Sequence, residues 1–362
     1  MSVILVFEDD LEERTKLTQA LEKACGGEAQ IKRFDPASPL KEGESFDRYI
    51  ASWIDQDFGA ENIGLIVCDK ELGQYDNLKG LSATAVSAVA LEIGVPFCQY
   101  SRKASEDKRE FARFKRLRQW SSEEITLEGL DSESWAGEAA AIFRGFELIK
   151  TRYRELGDKP GTPAAALAAI LEHPGSESRI ALYGSGEQGF LKEVFTFYDP
   201  EKGKPDVEEL CKRMPRILGN WLFLSILRFP GILVNMTAAA SYLNIDPDAF
   251  GQEDVQEQFQ SALYAGPFSE LGPWWWRAEL DVLVGEAECE DGREFVRKQG
   301  IEVKGCLDPD SNERAGYYCM LTRDPVSPEN SRGGIGWFPS GADLARMRKD
   351  KFEQITALVG MY

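Results

Sequence analysis

The chain has 362 residues, a formal net charge of −19 and a single histidine, His173. With 43% hydrophobic residues it can build two or three packed domains, which excludes wholesale disorder. The acidity argues against a protein that coats nucleic acid or anionic membrane. One histidine excludes metal sites built on two or three imidazoles and leaves a single candidate for any Ser-His-Asp or Cys-His site.

In chain order, residues 2–7 (SVILVF) read as a short buried strand that stops on Glu8, Asp9 and Asp10. Leu11, Leu17, Leu21 and Cys25 then recur at helical intervals. A polar stretch containing FDPASPLKEGES precedes a second helix around FDRYIASWIDQDF. ENIGLIVCD is the next strand, again ending on an acid, Asp69. LSATAVSAVALEIG reads as a helix, VPFCQYS as a strand ending at Ser101, residues 104–119 as a charged helix, EITLE as a weak strand, and SWAGEAAAIFRGFELIKTRYREL as a long helix. Apolar strands alternating with helices predict a doubly wound parallel sheet, an α/β domain over residues 1–155. In such sheets, sites form at the carboxyl ends of the strands, where these acids and Ser101 fall.

The texture then changes. Residues 156–200 read as a linker or connecting module around a short helix, PAAALAAILE, and residues 201–362 as an α+β domain. Helical signals there (DVEELCKRM, the 216–228 region, ADLARMRKDKFEQITALVG) mix with strand-like pieces (AELDVLVG, AGYYCMLT). Seven cysteines with no C-x-x-C pair fit reduced thiols. SVILVF is too short for a signal peptide, and the apolar stretch 221–234 is broken by Arg228 and Pro230. A cytoplasmic location is expected, with no membrane partner.

ILVFEDDLEER, a strand ending in Asp69, Gly80 eleven residues later and a strand ending in Ser101 together resemble the receiver domain of two-component response regulators. The resemblance covers roughly residues 1–150 and implies a flavodoxin-like fold. It implies that Glu8, Asp9 and Asp69 bind Mg²⁺, with Asp10 supporting the cluster and the backbone carbonyl of Glu71 completing the coordination. Asp69 would be the phosphoacceptor, Ser101 would bind a phosphoryl oxygen, and a partner's histidine (a histidine kinase or phosphodonor protein) would supply the phosphoryl group. The physical chemistry runs parallel to the resemblance, because carboxylates crowded at neighbouring strand ends repel one another until a hard divalent cation relieves them. The family's fifth-strand lysine has no counterpart in EITLEG; Lys70 and Lys103 are the nearby substitutes.

Residues 102–118 hold eight bases against three acids. Arg109, Arg113 and Arg116 are therefore candidate partner contacts, for an acidic protein surface or a second copy in a homodimer. The alternative is a solvated helix face. GSGEQG (184–189) follows a strand-like RIALY and matches a dinucleotide-binding motif literally, but no acid-ended strand comes after it at the right distance, and a tight glycine turn explains it. NMTAAASYLNIDPDAF resembles the first part of a helix-turn-helix, within a winged-helix-like segment. Residues 201–362 hold 26 acids and 18 bases, so DNA is not the expected partner. Trp274, Trp275 and Trp276 cannot all point inward from a strand, and Trp275 is a candidate partner contact. The expected protein is a receiver-like signalling protein with an interaction domain. The alternatives are a non-phosphorylated adaptor and an enzyme of unrecognised type in the C-terminal half.

Overall fold

The computed structural model describes residues 1–36, 38–73, 75, 77–102, 113, 114, 117, 124–157, 161–184 and 207–359. They divide into two compact units that interleave along the chain. The first comprises Met1–Asp107, Ser122–Gly157 and Lys192–Asn220; the second comprises Lys108–Ser121, Asp158–Leu191 and Trp221–Tyr362. The division differs from a simple break near residue 155, and 161–184 is not an open linker. Ala164, Ala166, Leu167 and Ile170 are buried, and the Tyr183 hydroxyl donates to the Phe229 carbonyl at 2.9 Å, so the segment belongs to a packed core.

The first unit is an α/β domain built on a five-stranded parallel sheet. Its strands are β1 (Val3–Phe7), β2 (Gln30–Arg33), β3 (Ile63–Asp69), β4 (Phe97–Tyr100) and β5 (Glu124–Thr126), in the order β2-β1-β3-β4-β5. Every residue of β1 and β3 is buried, as expected of central strands covered on both faces. β2, the edge strand, is largely exposed and reads QIKR, too short and polar to give a strand signal.

Helices α1 (Leu11–Cys25), α2 (Phe46–Asp57), α3 (Ala83–Glu92) and α4 (Ser132–Glu155) pack on the sheet. Two of their caps position the site. The Asp10 carboxylate accepts from the N–H groups of Glu12 and Glu13, which starts α1 directly after β1, and Gly26 ends it with φ 55°. Asp131 and Ser134 cap each other at the start of α4, which packs along α1.

In the second unit a four-stranded sheet has the order β10-β11-β8-β9: β8 (Tyr317–Cys319), β9 (Pro325–Val326), β10 (Ser331–Arg332) and β11 (Ala345–Arg348). An antiparallel pair, β6 (Leu233–Asn235) and β7 (Trp274–Trp276), forms a separate two-stranded sheet. Three expectations change. AELDVLVG lies in the helix Arg277–Glu286, where Leu280 is the one buried residue. RIALY lies in and just after the helix Glu177–Ala181, with Ile180 and Tyr183 buried one turn apart. The terminal helix begins only at Lys349, because ARMR is β11. Met236–Leu243 is helical, and the chain then forms two short helices, Pro247–Phe250 and Glu253–Glu257.

A buried carboxylate ties the second unit's sheet to its loops. Asp308 is fully buried and accepts from Arg348 (2.8 Å), Asn330 (3.1 Å) and the N–H groups of Ser327 (2.9 Å) and Asp310 (3.1 Å). Burial opposes its ionisation, but these donors outweigh the cost and hold its carboxyl down to about 2. With the folded pKa below the unfolded one, this stabilisation is present above about pH 4 and is lost as pH falls through about 2. Asp308→Ala takes from the buried Arg348 side chain its buried carboxylate partner, leaving it only the exposed Asp310 among the described carboxylates, and also strips the Ser327 N–H and Asn330 of their acceptor. The expected cost is about 3–5 kcal/mol in chemical denaturation of the full chain at pH 7. A loss under about 1 kcal/mol would show that the pair is not a structural centre.

Candidate functional site

β1 and β3 are neighbours, and the chain leaves both at their carboxyl ends as acids. Glu8 and Asp9 come directly after Phe7, and Asp69 closes β3. Glu8, Asp9 and Asp69 each offer a carboxylate oxygen within 4.8 Å of the others. Glu8 is fully buried, Asp69 is 4% exposed and Asp9 is half-buried. Uncompensated, three negative charges at this spacing are strongly unfavourable in a low-dielectric setting.

The compensation comes from β4 and the residue just beyond it. Tyr100 pairs in register with Asp69, and its hydroxyl donates to Glu8 Oε2 at 2.6 Å. Arg102, two residues on, extends its guanidinium over the acids. Nη2 donates to Glu8 Oε1 at 2.6 Å and to Asp69 Oδ2 at 3.3 Å, while Nη1 donates to Asp10 Oδ2 at 3.3 Å. Backbone donors take further lone pairs. The Asp10 N–H reaches Glu8 Oε1, the Glu71 N–H reaches Asp69 Oδ1 and the Gly73 N–H reaches Asp9 Oδ2. The Tyr75 hydroxyl brackets the Glu8 backbone, accepting from its N–H and donating to its carbonyl, both at 3.0 Å. Behind the site the Tyr100 ring stacks on Trp135 at 4.5 Å.

This balance sets the ionisation states. Burial raises the Glu8 carboxyl above its ordinary range; hydrogen bonds from Tyr100 and the Asp10 N–H oppose the rise, Asp69 adds to it, and Arg102 opposes it. Burial likewise raises Asp69, against the Glu71 N–H and Arg102. For Arg102 burial works against the charge, but Glu8, Asp69 and Asp10 outweigh it and push its pKa up, so the guanidinium stays charged. Burial and the Glu8 carboxylate push the Tyr100 hydroxyl up, which keeps it a donor.

Of the residues singled out in the sequence, Glu8, Asp9 and Asp69 come together, and Asp10 adjoins them as the α1 cap that also accepts from Arg102. Glu71 faces Asp69 with its N–H. Ser101 stands half-buried at the carboxyl end of β4, between Tyr100 and Arg102. Lys70 is exposed, and its N–H donates to the Tyr100 carbonyl. Lys103, Arg109 and Arg116 lie outside the described residues, as does most of GSGEQG. Arg113 belongs to the second unit, where Nη1 donates to the Leu321 carbonyl at 3.0 Å. Trp275 is 1% exposed and meets Phe250 edge-on at 5.0 Å, so its burial is that of a core residue and not of a partner contact. Of its neighbours, Trp274 is half-buried and Trp276 stacks on His173 at 4.2 Å.

Arg102 and Tyr100 are the site residues that sequence reasoning misses. In the sequence Arg102 reads as one base of the 102–118 run, although it directly succeeds Ser101 at a strand end. No family model, curated protein or solved structure matches the chain. The geometry alone therefore carries the functional reading.

Arg102→Ala leaves Glu8 and Asp69 without their internal cation. Both groups already hold protons more tightly folded than unfolded, so their stability contribution improves as pH falls through their raised values toward the ordinary carboxylate range near 4. With the Arg102 side chain 37% exposed, the variant should lose roughly 1–2 kcal/mol at pH 7.5 and recover part of it near pH 5. An unchanged melting temperature at both pH values would contradict the balance.

Proposed function

We propose that the first unit is a receiver-like regulatory module that takes a phosphoryl group on Asp69. The observation that carries the reading is the convergence of Glu8, Asp9 and Asp69 at the ends of adjacent parallel strands. The order β2-β1-β3-β4-β5 supports it, being the flavodoxin-like order, in which sites form where the strand order reverses between β1 and β3. All the donors are carboxylate oxygens, which suit Mg²⁺; Glu8, Asp9 and Asp69 would hold it, and when bound it offsets negative charge on phosphoryl oxygens.

An Asp69 oxygen attacks the phosphorus of a phosphohistidine on a partner protein. The new O–P bond forms as the N–P bond breaks, and the histidine leaves with a proton from solvent. Ser101 donates to a phosphoryl oxygen. Arg102 turns from the carboxylates to the transferred group, in the role that the receiver family gives to its fifth-strand lysine. The chain beyond Arg102 runs on to Arg113 and Phe114, which pack within the second unit, so the second unit is the natural place for the output. The exposed acids Asp248, Glu253, Asp254 and Glu257 on its winged-helix-like segment favour a protein partner over DNA.

One observation favours a second reading, a non-phosphorylated adaptor. Arg102 contacts Glu8, Asp10 and Asp69 together and so supplies, from the chain itself, the positive charge that the pocket requires.

Phosphoramidate with Mg²⁺ separates the two readings by intact-mass measurement. The phosphoacceptor reading expects one hydroxylamine-labile phosphoryl group, absent in Asp69→Asn and formed at least about tenfold more slowly in Asp9→Ala, since each lost decade is about 1.4 kcal/mol of transition-state stabilisation. No incorporation, or equal incorporation in Asp69→Asn, leaves the adaptor reading standing.

A further inference from the structure

The segment Ser331–Lys349 carries four bases, Arg332, Arg346, Arg348 and Lys349, against one acid, Asp343, in a chain of net −19. Two of these charges are already used. Arg348 is paired with Asp308 and Asp310, and Asp343 pairs with Arg277 at 2.6 Å. Arg332, Arg346 and Lys349 have no carboxylate partner among the described residues. They line two cavities that share Ser331 and Gly333. One, of about 410 Å³, is bounded by Arg332, Lys349, Phe352 and Glu353; the other, of about 290 Å³, by Tyr317, Pro328, Gly334 and Arg346.

The two guanidiniums are held in place without spending their hydrogen-bonding edges. Arg332 lies over the Phe352 ring at 4.6 Å and Arg346 over Tyr317 at 4.2 Å. A planar guanidinium stacked on a ring keeps its N–H fork free for a two-point contact with an oxyanion. Gly333 is part of the arrangement, because a Cβ there would lie 2.0 Å from Arg346 Nη1 and push the guanidinium off its place. Gly334, with φ 62°, leaves the loop beside it open. Among the residues that line the two cavities Glu353 is the one acid facing the three cations, which leaves a net charge of about +2 on the lining, the complement of a phosphate monoester at neutral pH. The volumes fall near the lower part of the range for small-molecule sites, which points to a small ligand.

We infer that the loop Ser331–Gly334, with Arg332, Arg346 and Lys349, forms a binding site in the second unit for a small phosphate monoester of mononucleotide size. It is independent of the acid pocket and of any phosphotransfer there.

Titration of the full-length protein with AMP, with inorganic phosphate and adenosine as separate arms, tests this by calorimetry at moderate salt. Saturable AMP binding at one site is expected, with phosphate competing and adenosine silent; tight phosphate binding with no gain for AMP would assign the site to the free anion and overturn the monoester assignment. Arg332→Gln and Arg346→Gln should each weaken AMP by about tenfold or more, a loss worth about 1.4 kcal/mol. Gly333→Ala keeps every charge and displaces only Arg346; with an unchanged circular dichroism spectrum it should lose binding to a similar extent. No saturable binding below about 10 mM, weaker than about 3 kcal/mol of affinity, would overturn the site, as would binding indifferent to all three substitutions.

Discussion

The first unit depends on one electrostatic problem, the placement of Glu8, Asp9 and Asp69 within 4.8 Å of each other at the buried ends of two adjacent strands. Each strand is covered on both faces, so little water reaches Glu8 or Asp69, and burial raises both carboxyls. Arg102 and the Tyr100 hydroxyl answer this from the next strand, with two contacts of 2.6 Å on Glu8. The parallel order makes the answer available, because β3 lies between β1 and β4 and all three point their carboxyl ends the same way.

Arg102 rests on Glu8, Asp10 and Asp69. Under the proposed reading a divalent cation would need the same carboxylates and so would compete with the guanidinium. That competition would give the pocket a second arrangement, with those oxygens on the ion and Arg102 released toward another anion. A pocket with two arrangements is a switch only if a ligand prefers one of them, and the size of that preference sets the shift. The Asp10 carboxylate caps α1 while it accepts from Arg102, so a release of Arg102 would be felt at the start of that helix.

Much of the first unit is legible in the sequence because its central strands are buried on both faces. VILVF and IGLIVCD are continuous apolar runs, and an acid ends each. The acid cluster is legible for the same reason. β2 is not, since QIKR at a sheet edge has no apolar face to betray it. In the second unit, AELDVLVG alternates like a strand yet forms a helix with Leu280 as its inner residue and Val282 48% exposed; with one inward position, no periodicity distinguishes the two. ARMR hides in an apparently helical run because Arg348, normally a surface residue, is buried there against Asp308. Arg102 is hidden differently. Its charge type fits a basic helix as well as a pocket, and only the register of β4 beside β3 shows which acids it meets.

The central claim is that Arg102 serves as the resident cation of the acid pocket. The direct measurement is calorimetric titration of Mg²⁺ into the full-length wild type and the Arg102→Ala variant at pH 7.5. The account predicts binding at least about tenfold tighter in the variant, roughly 1.4 kcal/mol released from competition, with the gain abolished by adding Asp9→Ala. Equal Mg²⁺ affinity with and without the arginine would contradict it.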